Sequence, residues 1–318
     1  MENKSTVLVA GAAGFLGSHL VDALLAKGNR VVAVDNFVTG NRANLDHLKN
    51  NANFQFIEHD IIEPLPESIT QNTYQAIANL ACPASPIDYQ EKPIATLRVC
   101  STGAENLLML AKRDNARFTH TSTSEVYGDP HEHPQTEKYW GNVNSYGERS
   151  CYDEGKRYTE ALIFSYRKMY QVNSGITRIF NTYGPRMRPS DGRVMTNFIK
   201  QALKGEDITV YGDGSQTRSF CYVDDQIAGQ MAMLESDLEG PVNIGNPTEF
   251  TIKQLAELVI QLTDADVKII YEPLPSDDPT RRRPDISKAK SELNWEPNIS
   301  LEVGLSKMIE FMKSSQNL

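Results

Sequence analysis

Tyr152 and Lys156 stand four residues apart in Tyr152-Asp153-Glu154-Gly155-Lys156, a spacing that sets a phenol and an ammonium on one helix face. A phenol with a pKa near ~10 is a poor base at neutral pH, and a neighbouring positive charge favours its phenolate. Such a pair can lift a proton from a substrate hydroxyl. Thr123, just after the β-rich run Arg117 to Thr121, is placed to hydrogen-bond the same hydroxyl. A bare YxxxK recurs by chance, so its meaning depends on what precedes it.

What precedes it is Gly11-Ala12-Ala13-Gly14-Phe15-Leu16-Gly17, after a predicted strand and opening a predicted helix. Glycines there permit a tight turn and let the backbone approach a pyrophosphate, while the helix N-terminus offers free N–H groups and a favourable dipole. Asp35 closes the next predicted strand, where a carboxylate accepts hydrogen bonds from a ribose 2′-hydroxyl and repels a 2′-phosphate. The combination points to NAD rather than NADP. The spacing is GxxGxxG, one residue longer than the commoner GxGxxG turn. A bound oxidised nicotinamide would be a second positive neighbour for Tyr152.

These groups need elements to hold them. Strands are predicted at Thr6 to Ala10, Val31 to Asp35, Phe54 to Ile57, Ala76 to Ala81, Arg117 to Thr121 and Gly175 to Phe180, with a helix from Gly14 to Lys27. Strands alternating with helices imply right-handed crossovers and a parallel sheet covered on both faces, a doubly wound α/β fold. At roughly 150 residues per domain the chain holds two. Residues 1–180 form the dinucleotide-binding domain, to which the chain returns around 218–245, and 181–318 form mainly a smaller α/β substrate domain. In that half a helix runs from Val194 to Lys204, stopped by Gly205. Strands at Ile208 to Tyr211 and Arg218 to Val223 flank the turn Gly212-Asp213-Gly214-Ser215. Thr251 and Gln254 make a capping box before a helix to Leu262. The segment Glu272 to Pro284 reads as an ordered loop.

Composition narrows the partners. Thirty-two basic against forty-one acidic residues leave a net charge of −9, which argues against a nucleic-acid surface or an anionic membrane. No stretch reaches the ~18 apolar residues of a membrane span, and Met1 to Thr6 shows no leader pattern. Cys82, Cys100, Cys151 and Cys221 have no metal-type spacing and read as reduced thiols of a cytoplasmic chain. His131-Glu132-His133 lies in a Pro-flanked loop without a third ligand, so no metal is expected. Leu107-Leu108-Met109-Leu110 is core or a dimer seam.

The cradle, Thr123 and Tyr152/Lys156 together resemble the extended short-chain dehydrogenase/reductase superfamily, with its Rossmann fold. Longer strings narrow the resemblance: Ala81-Cys82-Pro83-Ala84-Ser85-Pro86, Thr121-Ser122-Thr123-Ser124-Glu125-Val126-Tyr127-Gly128, Ser150-Cys151-Tyr152-Asp153-Glu154-Gly155-Lys156-Arg157, and Thr280-Arg281-Arg282-Arg283-Pro284-Asp285. With Phe180 to Met187, Asp191 to Arg193 and Tyr211 to Arg218, they are similar to the UDP-glucuronate decarboxylase (UDP-xylose synthase) family from about residue 6 to 305.

That resemblance implies a UDP-glucuronate substrate, no net redox and a homodimer. Tyr152 would take the proton of the sugar 4-hydroxyl as NAD+ accepts the C4 hydride. The ketone makes a β-keto acid that loses CO2 from C5, and protonation at C5 with hydride return gives UDP-xylose. Glu125 would lie near C5 and orient the proton-donating water, its alternative being a loop cap. In related 4,6-dehydratases an Asp-Glu pair stands here, so Ser124-Glu125 disfavours dehydration. For NAD the resemblance implies Gly11, Gly14, Phe15, Leu16, Gly17, Asp35, Asn36, Phe37, Thr39, Gly40, Asp60, Ile61, Leu80, Tyr152, Lys156, Thr182 and Arg188. For the UDP-sugar it implies Arg98, Asn106, Asn181, Arg193, Tyr211, Gln216, Arg218 and Arg282. Arg282 would meet the diphosphate or the glucuronate end, with a solvated charge cluster as its alternative; helix surface is the alternative for Arg98 and Asn106.

Departures from the family pattern are Asn79 for His, Arg98 for Lys, Cys100 for Asn, and Ser145-Tyr146 for a Pro-bearing step. Competing readings are a UDP-sugar 4-epimerase, a decarboxylase that releases the 4-keto pentose with NADH, and a non-catalytic NAD-binding sensor.

Overall fold

Along the first strand, β1 (Thr6–Ala10), Val7 and Val9 enter one apolar cluster while Leu8 and Ala10 enter another. This two-residue alternation, apolar on both sides, is what a strand covered on both faces requires. The computed structural model describes residues 5–273 and 282–315. The predicted loop Glu272 to Pro284, including Arg281, therefore lies largely outside the described residues.

β1 pairs in parallel with β2 (Arg30–Asp35), which pairs with β3 (Phe54–Glu58). On its other side β1 pairs with β4 (Ala76–Asn79), followed by β5 (Arg117–Thr123) and β6 (Ser174–Ile179). A seventh strand, Gly240–Ile244, adds to β6 from the second half of the chain. The order reverses at β1 and β4, and the crevice outside their carboxyl ends is where such sheets bind ligands. This is the doubly wound fold expected.

One face is packed by Leu107 and Leu108 of the helix Ala104–Asp114 and by Ile163 of the 21-residue helix Ser150–Tyr170. Burying each such leucine is worth ~2 kcal/mol. On the other face the cluster runs from Leu20 and Leu24 of the helix Phe15–Ala26 into Phe198, Leu255 and Met308. One core thus ties the second half to the first.

In that half the helix Val194–Lys204 ends at Gly205, at φ +69°, and Ile252–Thr263 starts from the Thr251/Gln254 capping box. The predicted strand Arg218 to Val223 is corrected. It divides into Thr217–Ser219, antiparallel to Glu249–Thr251, and Cys221–Tyr222, parallel to Thr182–Tyr183. Ile208–Tyr211 pairs instead with Ile269–Glu272. The predicted strand from Ala76 likewise stops at Asn79, because Ala81 bends away to donate its N–H to the Asn79 side chain at 3.2 Å.

Candidate active site

The cradle is knitted to β2. Val34 O accepts the N–H groups of Gly11 (2.9 Å) and Ala12 (3.2 Å), and Asp35 Oδ2 accepts that of Ala13 (2.9 Å). Gly11 adopts φ +79°, and a Cβ there would lie 2.8 Å from the Leu80–Ala81 backbone; one on Gly17 would fall onto the Gly11 carbonyl. The chain therefore folds close enough here only without side chains, and the first amides of Phe15–Ala26 face outward as at any helix N-terminus. Such a turn has the shape and free N–H groups to take a pyrophosphate, and the residues present fit a dinucleotide. Burial pushes the Asp35 carboxyl above its ordinary value, against the N–H groups of Phe37 and Ala13 that pull it down.

Gly11, Gly14, Phe15, Leu16, Gly17, Thr39 and Leu80 line one end of a cleft of about 1160 Å³. Thr182 and Arg188 line it further along, Arg188 donating to the Asp88 carboxylate. Asp35, Asn36, Phe37, Gly40, Asp60 and Ile61 sit at or beyond the β2 and β3 ends, outside the lining. Asn36 donates to Asp60 Oδ2 (2.9 Å), Arg42 stacks over Phe37 at 4.0 Å, and Ile61 is buried in the core.

Mid-cleft, Tyr152 is 6% exposed, with the Thr123 side chain beside its hydroxyl. Burial pushes the phenol above its ordinary range, more than the Thr123 side chain and the Arg193 charge pull it down. The Lys156 Nζ lies 5.9 Å from the Tyr152 ring centre and donates instead to Thr121 O at 2.8 Å. Tyr89 stacks on Tyr152, and its own hydroxyl is buried without a partner.

Glu125 follows Thr123 on a short 3-10 turn, its N–H donating to Thr123 Oγ1 at 3.2 Å. One carboxylate oxygen is held by Arg149 and the other by Arg282. Arg282 also donates to Gly128 O at 3.1 Å, and its side chain is 7% exposed. Burial pulls its guanidinium down to about 10, and Tyr89 pulls it partly back. Arg282 is thus no solvated cluster, and Glu125 is no simple loop cap. Arg283, by contrast, is an outer residue paired with Glu249 at 3.6 Å.

At the far end Asn181, Arg193, Tyr211, Gln216 and Arg218 line the same cleft. Arg193 holds Asp191 with two hydrogen bonds at the start of Val194–Lys204, and Gln216 donates to Tyr211 O at 2.6 Å. Arg98 and Asn106 are not brought to it. Arg98 is exposed at the end of the helix Pro93–Arg98, and Asn106 spends its amide on the carbonyls of Ile61 (2.8 Å) and Glu63 (3.3 Å). Both follow the helix-surface alternative. His133 pairs with Glu249 at 3.4 Å, and among the described residues no three His, Cys, Asp or Glu side chains could hold a metal.

Sequence reasoning missed Arg149, Tyr89, Asp88 and Asp191. Arg149 stands three before Tyr152, a one-turn spacing that could have flagged it; the other three had no local signal beyond their strings.

Residues 8–308 match the family model described as GDP-mannose 4,6 dehydratase. UDP-glucuronic acid decarboxylase 1 of Arabidopsis thaliana is 54% identical over 303 residues, 95% of this chain and 68% of that protein. UDP-glucuronic acid decarboxylase 6 of the same plant is 52% identical over 310 residues, 97% of this chain and 89% of that one. Among solved structures, the UDP-glucuronic acid 4-epimerase from Bacillus cereus in complex with UDP-glucuronic acid and NAD superposes with a TM-score of 0.87 at 30% identity, covering 98% of this chain and 99% of that one.

Proposed function

The chain belongs to the family of UDP-glucuronic acid decarboxylases, and from that we infer that it converts UDP-glucuronate to UDP-xylose and CO2, with NAD as a recycled cofactor. The relatives' identity over nearly the whole chain supports this reading. The single structural observation that carries it is Glu125, set beside the Tyr152/Thr123 pair and clamped by Arg149 and Arg282.

Bound NAD+ supplies a reversible two-electron oxidation at the sugar C4. Tyr152 takes the 4-hydroxyl proton while Thr123 holds that oxygen, and Lys156 adds a fixed positive charge beneath them. The 4-ketone makes the C5 carboxylate that of a β-keto acid. When the C5–carboxylate bond breaks, its electrons reach the C4 oxygen, where the Tyr152 and Thr123 hydroxyls stabilise them. Glu125 orients the water that protonates C5, and Arg282 and Arg149 hold Glu125 against that position. The acid needed at position 124 for 4,6-dehydration is a serine here. Gln216, Arg218, Tyr211, Arg193 and Asn181 are assigned to the UDP-sugar, and the cradle residues with Asp35, Thr182 and Arg188 to NAD. Residues 1–180 then serve mainly NAD, and 181–318 mainly the UDP-sugar.

A homodimer is part of the proposal. Ile94, Leu97, Met109, Tyr158 and Met169 are exposed on the helices Pro93–Arg98, Ala104–Asp114 and Ser150–Tyr170, an apolar surface suited to a second copy. A cytoplasmic location is proposed from the four free thiols.

The test is incubation with UDP-glucuronate and NAD+. CO2 with UDP-xylose supports the reading, UDP-galacturonate without CO2 replaces it with 4-epimerisation, and net NADH with a 4-keto pentose replaces it with the oxidative variant.

A further inference from the structure

Two thiols meet against the catalytic helix. Cys82 Sγ and Cys100 Sγ lie 3.6 Å apart, with no disulfide between them. Cys82 follows β4 and lines the cleft, whereas Cys100 is 2% exposed and sits in the π-turn Val99–Gly103. Single π-turns inside helices are frequent at functional sites. Nothing in the proposed reaction uses either sulfur.

We propose that Cys82 and Cys100 are an oxidisable dithiol that hydrogen peroxide converts to a disulfide, braking the enzyme beside Lys156. The division of roles follows from access. Cys82 opens to the cleft and meets the peroxide; Cys100 is the buried resolving thiol. The Cys82 sulfur attacks one peroxide oxygen, the O–O bond breaks, and Cys82 becomes a sulfenic acid. The Cys100 sulfur then displaces that hydroxyl, and the S–S bond forms as the S–O bond breaks. The two thiol protons leave in the two waters formed, so two thiols are oxidised by two electrons and one peroxide is reduced.

Electrostatics favour the chemistry. The shared hydrogen bond and burial hold the Cys82 thiol well above its ordinary value, while that same bond and the Lys156 ammonium lower Cys100 to about 7, so the thiolate forms on Cys100 and reaches Cys82 by proton transfer across the 3.6 Å contact. A thiolate is the reactive form. Cys151 is the third sulfur nearby, but it points at the carbonyls of Tyr89 (3.4 Å) and Glu148 (3.9 Å), which makes it the poorer partner.

The brake is geometric. A disulfide needs its sulfurs ~2.05 Å apart, so they must close by ~1.5 Å. Cys100 is pinned to the catalytic helix, since Thr159 Oγ1 donates to its carbonyl at 2.6 Å and Gly155 lies against its side chain. Cys82 continues from the Leu80–Ala81 backbone that packs on Gly11. Closing the bond pulls the cradle wall and the Tyr152/Lys156 helix toward each other, and a shift of ~1 Å there costs up to ~100-fold in rate.

The experiment treats the NAD-loaded protein with hydrogen peroxide and counts thiols after denaturation. Titratable thiols should fall from four to two and return with dithiothreitol. Trypsin cuts after Arg98, so a Cys82–Cys100 bond joins two separate peptides. Turnover of UDP-glucuronate should fall roughly 10- to 100-fold and recover on reduction. Cys100→Ser should show no crosslink, and Cys151→Ser should still form it, each judged against its own untreated rate. Four persisting thiols, a Cys82–Cys151 link, or the Cys82–Cys100 bond with unchanged turnover would overturn the proposal. Thiol count and peptide map need no substrate, so they stay decisive if the decarboxylase reading fails.

Discussion

The Tyr152 ring lies flat on that of Tyr89, with ring centres 4.9 Å apart and planes 9° from parallel. The stack fixes the ring without using its hydroxyl, so ring and hydroxyl can be separated by mutation. Tyr152→Phe keeps the stack and the burial and loses only the proton acceptor. Turnover should fall by roughly 10²- to 10⁴-fold, while the thermal midpoint changes by no more than a few degrees. Steady-state rates with UDP-glucuronate and a calorimetric melt check both; a variant that turns over normally removes Tyr152 from the reaction.

Asp153, the next residue, is buried, and burial raises its carboxyl to about 6 despite the Arg149 charge, with one oxygen unpartnered. The folded state therefore holds this proton more tightly than the unfolded chain, whose carboxyl titrates near ~4. Stability from this group is full below that value and is lost as pH climbs through about 6. Asp153→Asn should melt higher than the parent at neutral pH, by on the order of 2 kcal/mol, with the gap closing near pH ~4. Melting curves across that range decide it; a gap that widens toward acid means the ion pair with Arg149 outweighs the burial.

What could be read from the chain alone was what is local. The strand–turn–helix of Gly11 to Gly17 and the Tyr152–Lys156 spacing each occupy one short segment, and their geometry follows from backbone sterics and helix pitch. Arg218 to Val223 is β-rich throughout, yet its two halves pair with Glu249–Thr251 and Thr182–Tyr183, distant partners that propensity does not encode. Helix periodicity put Arg98 and Asn106 on helices without saying which face would meet the cleft. That Arg282 also meets Glu125, far away in sequence, is supplied only by the fold. How deeply Tyr152 is buried is likewise a tertiary property that its segment does not encode.

A methyl group at Gly17 would tighten the cradle past closure. Its carbon would meet the Gly11 carbonyl, which is backbone and cannot swing aside. Gly17→Ala should cost about 1–3 kcal/mol of stability through forced backbone movement and weaken NAD binding at least tenfold. Isothermal titration with NAD and a denaturant melt measure the two. Unchanged affinity would mean the dinucleotide does not rest on this turn.

Glu125 carries two opposed roles that a mutant cycle can separate. Glu125→Gln removes the negative charge between Arg149 and Arg282, leaving a buried guanidinium without its partner. Breaking one side of a buried pair costs ~3–5 kcal/mol in the worst case; the glutamine amide oxygen retains one acceptor, so the loss should sit below that. Arg282→Met leaves the reverse imbalance, and the double variant removes both charges, so it should be more stable than the two single losses added together by ~1 kcal/mol or more. Kinetically, Glu125→Gln should still exchange hydrogen at the sugar C4 with bound cofactor but release little UDP-xylose, because its task begins after oxidation. Denaturant melts on the four proteins and C4 isotope exchange alongside CO2 release test both halves. If Glu125→Gln abolishes C4 exchange as fully as Tyr152→Phe, then Glu125 acts on the oxidation step or on folding, and its assignment to the water at C5 is lost.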